Sequence, residues 1–234
     1  MLAQTNLQLY RQLAEAGWSD ESLAMIRAAY DLARELFVGC YRPSQKCFSA
    51  HLIGVASALG AWGEPREMVV AGMLHSAYLF GEFGDGTRGM TDRKRRLLEQ
   101  RVGRAAESLV ARYTNGDSSM LERGAASGDR ELGLLLLADL YDECVDAGPR
   151  YAPRKRLPLG LPENTAARPV LIQVAGELAG TLAADDFRAV FQQFDSIRPA
   201  AALVADDQAF HTVPSAARHG WIHELWGALR KRAA

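Results

Sequence analysis

Apolar side chains recur every three or four residues along nearly all of the 234-residue chain, and this spacing restricts its fold more than any other feature. The sequence shows no sustained strand-like alternation and no internal repeat. Two segments are apolar on all sides around their centres, which is typical of helices buried in the middle of a bundle. The sequence therefore predicts an all-α fold. Helices are expected at residues 3–16, 19–37, 47–62, 65–80, 92–114, 129–147, 165–183, 185–204 and 215–231.

The composition changes clearly at one place along the chain. Five prolines lie between residues 148 and 169, a density that disfavours a continuous helix. We therefore predict a helical core over residues 1–147, a proline-rich connection over 148–169, and a C-terminal helical extension over 170–234 that packs on the core.

The charge balance and the apolar runs argue against two classes of partner. The chain has 27 basic and 28 acidic residues, so it lacks the basic excess that is typical of nucleic-acid-binding domains. Its longest apolar runs are about eight residues, whereas a membrane span needs about 20. We expect no nucleic-acid partner and no membrane insertion. The three cysteines have no metal-type spacing and no signal peptide is visible, which favours a cytoplasmic location.

Three polar residues lie in the most apolar predicted helices. They are His51, His75, and Asp139 within a run of leucines. A buried carboxylate is costly unless a cation or hydrogen-bond donors satisfy it. One divalent transition metal ion, such as Mn or Fe, would explain all three, because imidazole and carboxylate groups are common metal ligands. Alternatively, each residue is a core residue that other protein groups satisfy, and no cofactor is bound.

The order of these residues resembles a known family. The chain contains, in this order, an arginine (Arg42), a histidine in a helix (His51), a histidine that ends an apolar helix (His75) and an aspartate in a leucine-rich helix (Asp139, within Ala138–Asp142). This pattern is similar to that of the HD superfamily, and most similar to the hydrolase-type HD domain of the RelA/SpoT alarmone enzymes. The resemblance covers roughly residues 20–147.

The resemblance implies a fold and a set of ligands. The expected fold is an HD-like helical bundle, here followed by a C-terminal helical extension. His51, His75 and Asp139 would hold the metal ion. Arg42 would contact the substrate. Apart from the resemblance, Tyr78 is a further candidate substrate contact if the protein is instead an iron oxygenase.

Ser76 is the main departure from the family pattern. HD hydrolases have an aspartate after the second histidine, which binds the metal and orients water, whereas a serine hydroxyl is a poor ligand for a divalent cation. The His-Ser pair is similar to that of a little-described HD-like family in which serine is the norm. Glu82 and Asp85 follow in a glycine-rich loop and could supply a general base. We therefore take Ser76, Glu82 and Asp85 as candidate catalytic residues. The loop itself could be a mobile lid or an ordinary connection between helices.

Three functions are compatible with these residues. The first is a metal-dependent hydrolase of a phosphate ester or nucleotide-like small molecule. The second is a non-haem iron oxygenase, since two histidines and one carboxylate are the ligand set of that class. The third is a non-catalytic HD-like module that binds a small molecule or a partner, in which Ser76 and Tyr78 hydrogen-bond His75. In that case the C-terminal helices could form a homodimer surface.

Overall fold

A computed structural model describes residues 2–116, 121, 128–152 and 160–204, and the backbone of 211–212. Within these ranges the fold is all-α, as predicted, and no described helix is long and apolar enough to span a membrane. The helices are α1 (Asn6–Glu15), α2 (Asp20–Leu36), α3 (Phe48–Ala61), α4 (Arg66–Leu74), α5 (Ala77–Phe80), α6 (Asp92–Val102), α7 (Arg104–Asn115), α8 (Arg130–Val145), α9 (Gly148–Tyr151), α10 (Arg168–Ala179) and α11 (Thr181–Ser196), followed by a 3₁₀ turn at Ala201–Leu203.

Several helices begin at residues whose side chains satisfy the free backbone amides of the first turn. Thr5 and Gln8 form a reciprocal capping box at the start of α1. Ser19 caps α2, Thr91 caps α6 and Asp129 caps α8. These caps explain why the predicted helix starts near residues 19, 92 and 129 agree closely with the structure.

Two predicted helices are each divided in the structure. The predicted helix at 92–114 is broken at Gly103, whose φ of 84° lies in the left-handed region that favours glycine. The predicted helix at 65–80 is broken at His75 and Ser76, between α4 and α5. This second break places His75 at the carboxyl end of α4, although neither His75 nor Ser76 is a helix breaker.

Helices α3, α4 and α8 form the centre of the molecule and pack against one another. Gly72 allows α4 to approach α3 closely, because a Cβ atom at this position would lie 2.6 Å from Leu59 and 3.3 Å from Val55. Helices α2 and α7 cover the outer side of α4. The three polar residues singled out above therefore lie on the three central helices.

The C-terminal helices pack on this centre. Helices α10 and α11 pack on each other and on α8, and the Trp62 indole donates a hydrogen bond of 2.8 Å to Asp186 on α11. The Phe187 ring packs against the rings of Trp62 and Tyr141. A two-residue strand, β1 (Cys40–Tyr41), pairs antiparallel with β2 (His211–Thr212). The helix predicted at 215–231 lies outside the described residues.

Candidate metal centre

The three central helices bring His51, His75 and Asp139 together. His51 lies in the first turn of α3, His75 ends α4, and Asp139 lies in the middle of α8. The Nε2 atoms of His51 and His75 are 3.3 Å apart. Asp139 Oδ1 is 3.2 Å from His51 Nε2 and 3.8 Å from His75 Nε2. These residues form a group that could hold a metal ion.

The other nitrogen of each imidazole ring faces a group that accepts hydrogen bonds. His51 Nδ1 is 2.7 Å from Asp142 Oδ2, and His75 Nδ1 is 2.8 Å from the carbonyl oxygen of Gly72. A carboxylate and a carbonyl accept but do not donate, so Nδ1 carries the proton in each neutral ring. Both Nε2 lone pairs then face the centre. Histidines that bind metals usually have such a partner on their other nitrogen.

Asp139 contributes a third acceptor atom to the centre. Its Oδ2 atom accepts a hydrogen bond of 3.0 Å from the Tyr113 hydroxyl. Its Oδ1 atom is buried and accepts no hydrogen bond from the described part of the chain. Burial disfavours the charged carboxylate, but nearby groups, among them the Arg42 guanidinium, outweigh burial and hold the pKa of Asp139 well below its usual range. The aspartate is therefore ionised at neutral pH.

Burial also determines the protonation state of His75. The buried site lowers the pKa of this imidazole to about 4, against its usual value near 6.5. The ring is accordingly neutral at pH 7, which is the form that binds a metal ion.

The observed distances can be compared with those in a metal site. Imidazole and carboxylate ligands lie about 2.1 Å from a zinc-sized ion, so neighbouring ligand atoms are about 3.0–3.4 Å apart. Two of the three distances, 3.3 and 3.2 Å, fall in this range, and the third, 3.8 Å, is longer. The donor set and the spacing fit a single divalent transition metal ion.

The buried charges around the centre also favour a cation. Among the described residues, the cations Arg42 and Lys46 face the buried carboxylates of Asp142 and Glu143 and the partly buried carboxylates of Asp139 and Asp146. In this group the carboxylates outnumber the guanidinium and ammonium cations. Uncompensated buried charge is costly, and a divalent cation would compensate it.

Arg42 and Ser76, which the resemblance singled out, both lie beside the cluster. One Arg42 guanidinium nitrogen is 3.9 Å from Asp139 Oδ1, and the same nitrogen is ion-paired with Glu143. Arg42 is buried and packs over the Phe48 ring. Ser76 directly follows His75 at the break between α4 and α5, and it is also buried.

The described contacts of Tyr78 and Asp85 lie elsewhere. The Tyr78 hydroxyl donates a hydrogen bond of 2.7 Å to Glu107, and not to His75, whose Nδ1 bonds to the Gly72 carbonyl. Asp85 accepts from the Thr87 amide within its own loop.

Glu82 is exposed and is not a member of the cluster of described ligands. It lines a separate cavity of about 230 Å³ together with Phe80, Phe83 and Arg88.

A buried lysine holds the glycine-rich loop. Lys94 Nζ donates to the Thr87 carbonyl at 2.8 Å, to the Thr87 hydroxyl at 3.0 Å and to the Gly89 carbonyl at 3.1 Å. Its side chain is 1% exposed. Of the two interpretations of this loop, these contacts favour a fixed connection between helices over a mobile lid.

Sequence reasoning missed Tyr113, Asp142 and Lys46. Asp142 lies three residues after Asp139, so the two carboxylates share one face of α8, and this spacing was the available signal. Tyr113 reaches Asp139 from α7, and its ring also packs edge-on against His75 at 4.8 Å. Nothing in the sequence near Tyr113 or Lys46 marks either residue as part of the centre.

A family model described as a domain of unknown function (DUF6817) matches residues 34–117. The matched segment includes His51 and His75 but ends before Asp139. None of the curated proteins matches the chain.

Proposed function

We propose that this chain is a metal-dependent hydrolase in which His51, His75 and Asp139 hold one divalent transition metal ion, manganese or iron. The observation that carries the proposal is the convergence of three possible ligand atoms, His51 Nε2, His75 Nε2 and Asp139 Oδ1, of which the buried Oδ1 accepts no hydrogen bond from the described part of the chain. A metal ion at this position would polarise a substrate oxygen and lower the pKa of a bound water.

We also propose that the core is related to the HD superfamily. Three features support this relationship: the ligands follow one another in the expected order, they lie on three mutually packed helices, and Arg42 lies beside them. Ser76 replaces the fourth ligand of HD hydrolases. The proposed ligand set is therefore two histidines and one aspartate, which leaves more positions for water and substrate.

The protein groups around the ligands hold them in fixed orientations. Asp142 and the Gly72 carbonyl orient the two imidazoles, and Tyr113 occupies one oxygen of Asp139 and leaves the other toward the centre. The two histidines are buried, whereas the Asp139 side chain is 25% exposed. Substrate and water would therefore reach the centre from the side of Asp139.

The position of Arg42 supports an anionic substrate. A divalent cation would offset the excess of negative charge that the carboxylates of Asp139, Asp142, Glu143 and Asp146 leave beside Arg42 and Lys46. The ion itself, with the Arg42 guanidinium close to it, would attract an anionic group. A phosphate ester or a nucleotide-like molecule has this charge, in agreement with the substrate class that the HD resemblance implies.

One specific observation favours a second candidate. Two histidines and one carboxylate are also the ligand set of non-haem iron oxygenases. The two functions differ in the metal bound and in the co-substrate, so they can be separated by experiment.

The test is an assay of the full chain loaded with Mn²⁺ or Fe²⁺. The substrates are p-nitrophenyl phosphate, bis(p-nitrophenyl) phosphate and nucleoside di- and triphosphates, with oxygen uptake measured in parallel. We expect metal-dependent phosphate-ester hydrolysis that is lost in Asp139→Asn, which keeps the shape of the side chain and removes its charge. Glu64→Gln is the matched control, because Glu64 is a buried carboxylate paired with Arg130 instead.

The other outcomes contradict the proposal in distinct ways. Iron-dependent oxygen uptake without hydrolysis would favour an oxygenase. A wild-type protein that binds no metal would favour a non-catalytic binding module.

A further inference from the structure

Asp142 lies directly behind one of the proposed ligands. Its side chain is buried, and its Oδ2 atom is 2.7 Å from His51 Nδ1. Both of its oxygens are 2.9 Å from Lys46 Nζ. Lys46 is also ion-paired with Asp146. Lys46, Asp142 and His51 thus form a continuous chain of contacts that ends at the centre.

The carboxylate determines which nitrogen of His51 carries the proton. An ionised carboxylate can only accept hydrogen bonds, so the imidazole proton is held on Nδ1 and the lone pair remains on Nε2. Asp142 is the acceptor that the described part of the chain places at His51 Nδ1, so its loss would remove this preference for the Nδ1–H form. Lys46 compensates the charge of Asp142, and a buried carboxylate without such a cation would be costly.

The backbone of α3 leaves room for Asp142 at Gly54. A Cβ atom at this position would overlap Asp142 Oδ1 and lie 2.8 Å from Asp142 Cγ. Gly54 is three residues after His51 and lies in the interior of α3, where glycine is otherwise an unfavourable residue. The close approach of the carboxylate gives this glycine a packing role.

We propose that Asp142 is a positioning residue which, with Lys46 beside it and Gly54 leaving space for it, fixes His51 in the Nδ1–H form and sets the affinity of the centre for its metal ion. This inference rests on the proposed metal centre. It concerns Asp142, which contacts the proposed metal ligand His51 and not the metal ion or the substrate.

The test is equilibrium binding of Mn²⁺ alone to the full chain and to four variants. Asp142→Asn removes the charge, and Gly54→Ala displaces the carboxylate without changing any polar group. We expect both to weaken Mn²⁺ binding by about 10–100-fold, the usual effect of losing a group that orients a metal-binding histidine.

Two matched controls separate positioning from packing. Glu64→Gln removes the charge of a different buried carboxylate. Gly60→Ala adds a methyl group to the same helix, where it would lie 2.7 Å from Leu13 and away from Asp142. Both controls should bind Mn²⁺ like the wild type.

A second readout reports the position of the proton itself. Proton–nitrogen correlation spectra of the histidine side chains of the metal-free protein should show the His51 proton on Nδ1 in the wild type. In Asp142→Asn the proton should be partly transferred to Nε2, a change that a purely structural role for Asp142 would not produce. If Asp142→Asn does not fold, Gly54→Ala decides the question.

The outcomes distinguish this inference from the proposed function. Wild-type Mn²⁺ affinity in both Asp142→Asn and Gly54→Ala, or an unchanged His51 proton position, overturns the inference and leaves the metal centre in place. A wild-type protein that binds no Mn²⁺, Fe²⁺ or Co²⁺ overturns both.

Discussion

The Nε2 atoms of His51 and His75 lie 3.3 Å apart, although the Nδ1 atom of each ring faces a hydrogen-bond acceptor. In neutral rings, two lone pairs therefore point toward each other. Asp139 Oδ1 adds a third acceptor within 3.8 Å of both nitrogens. A single proton satisfies only one pair of these atoms, whereas one metal ion satisfies all three.

Tyr113→Phe should destabilise the metal-free protein by about 1.5–3 kcal/mol, the range for a hydrogen bond to a charged group. The hydroxyl donates to Asp139 Oδ2, and a phenylalanine ring would preserve the edge-on contact with His75. Urea unfolding measures the change. Tyr30→Phe is the control, since the Tyr30 ring packs against Tyr10. Equal losses of unfolding free energy in Tyr113→Phe and Tyr30→Phe would contradict a special role for the Tyr113 hydroxyl.

Ser76→Asp should raise the affinity for Mn²⁺, because it restores the carboxylate that HD hydrolases have after the second histidine. The same change should destabilise the metal-free protein, since it adds a further carboxylate beside those that already face Arg42 and Lys46. Mn²⁺ titration and urea unfolding measure the two effects. Ser76→Asn is the control, because asparagine has the shape of aspartate without its charge. Unchanged Mn²⁺ binding in Ser76→Asp would mean that the geometry of the centre, and not only this residue, has diverged.

The stability of the fold should fall in acid partly because of Glu107, which lies away from the centre. Burial disfavours its charge, but hydrogen bonds from Arg95 and Tyr78 outweigh burial and lower the pKa of Glu107. A carboxyl whose pKa is lower in the folded state stabilises the fold above its unfolded-state pKa of about 4.3, and this contribution disappears as the pH falls through the folded-state value.

Glu107→Gln should therefore cost about 1.5–3 kcal/mol at pH 7 and less at pH 3. Urea unfolding of both proteins at the two pH values measures the difference. A stability gap that does not change with pH would show that the ionised form of Glu107 is not the stabilising one.

Lys94→Met should loosen the loop between α5 and α6. The ammonium group holds the Thr87 carbonyl, the Thr87 hydroxyl and the Gly89 carbonyl, and methionine offers none of these hydrogen bonds. We expect faster amide hydrogen exchange between residues 84 and 90 and a loss of stability of about 2–3 kcal/mol. Arg93→Met, at an exposed neighbouring position, should have little effect. Exchange rates equal to those of the wild type would restore the interpretation of the loop as mobile.

The sequence predicted the all-α class and the convergence of His51, His75 and Asp139 for the same physical reason. Polar groups in helices that are otherwise apolar on all sides must be buried, and buried polar groups need partners. The predicted helix starts succeeded where a side chain caps the helix, as Ser19 and Asp129 do.

The surroundings of the centre could not be predicted in the same way. Asp142 and His51 are 91 residues apart in the chain, and only the packing of α8 on α3 brings them together. Tyr78 is close to His75 in sequence, but its hydroxyl bonds to Glu107, and Tyr113 from α7 contacts the centre instead. The helix break at His75 and Ser76 contains no proline or glycine that would have indicated it.

Elemental analysis of the purified full chain, expressed in metal-supplemented medium beside His75→Ala, tests the metal centre most directly. We predict a near-stoichiometric content of manganese or iron in the wild type and its loss in His75→Ala, with circular dichroism showing that the variant remains helical. Manganese would direct substrate screening to phosphate esters, and iron to oxygen-dependent chemistry. A wild type without transition metal, or an equal metal content in a folded His75→Ala variant, would contradict the assignment of this centre.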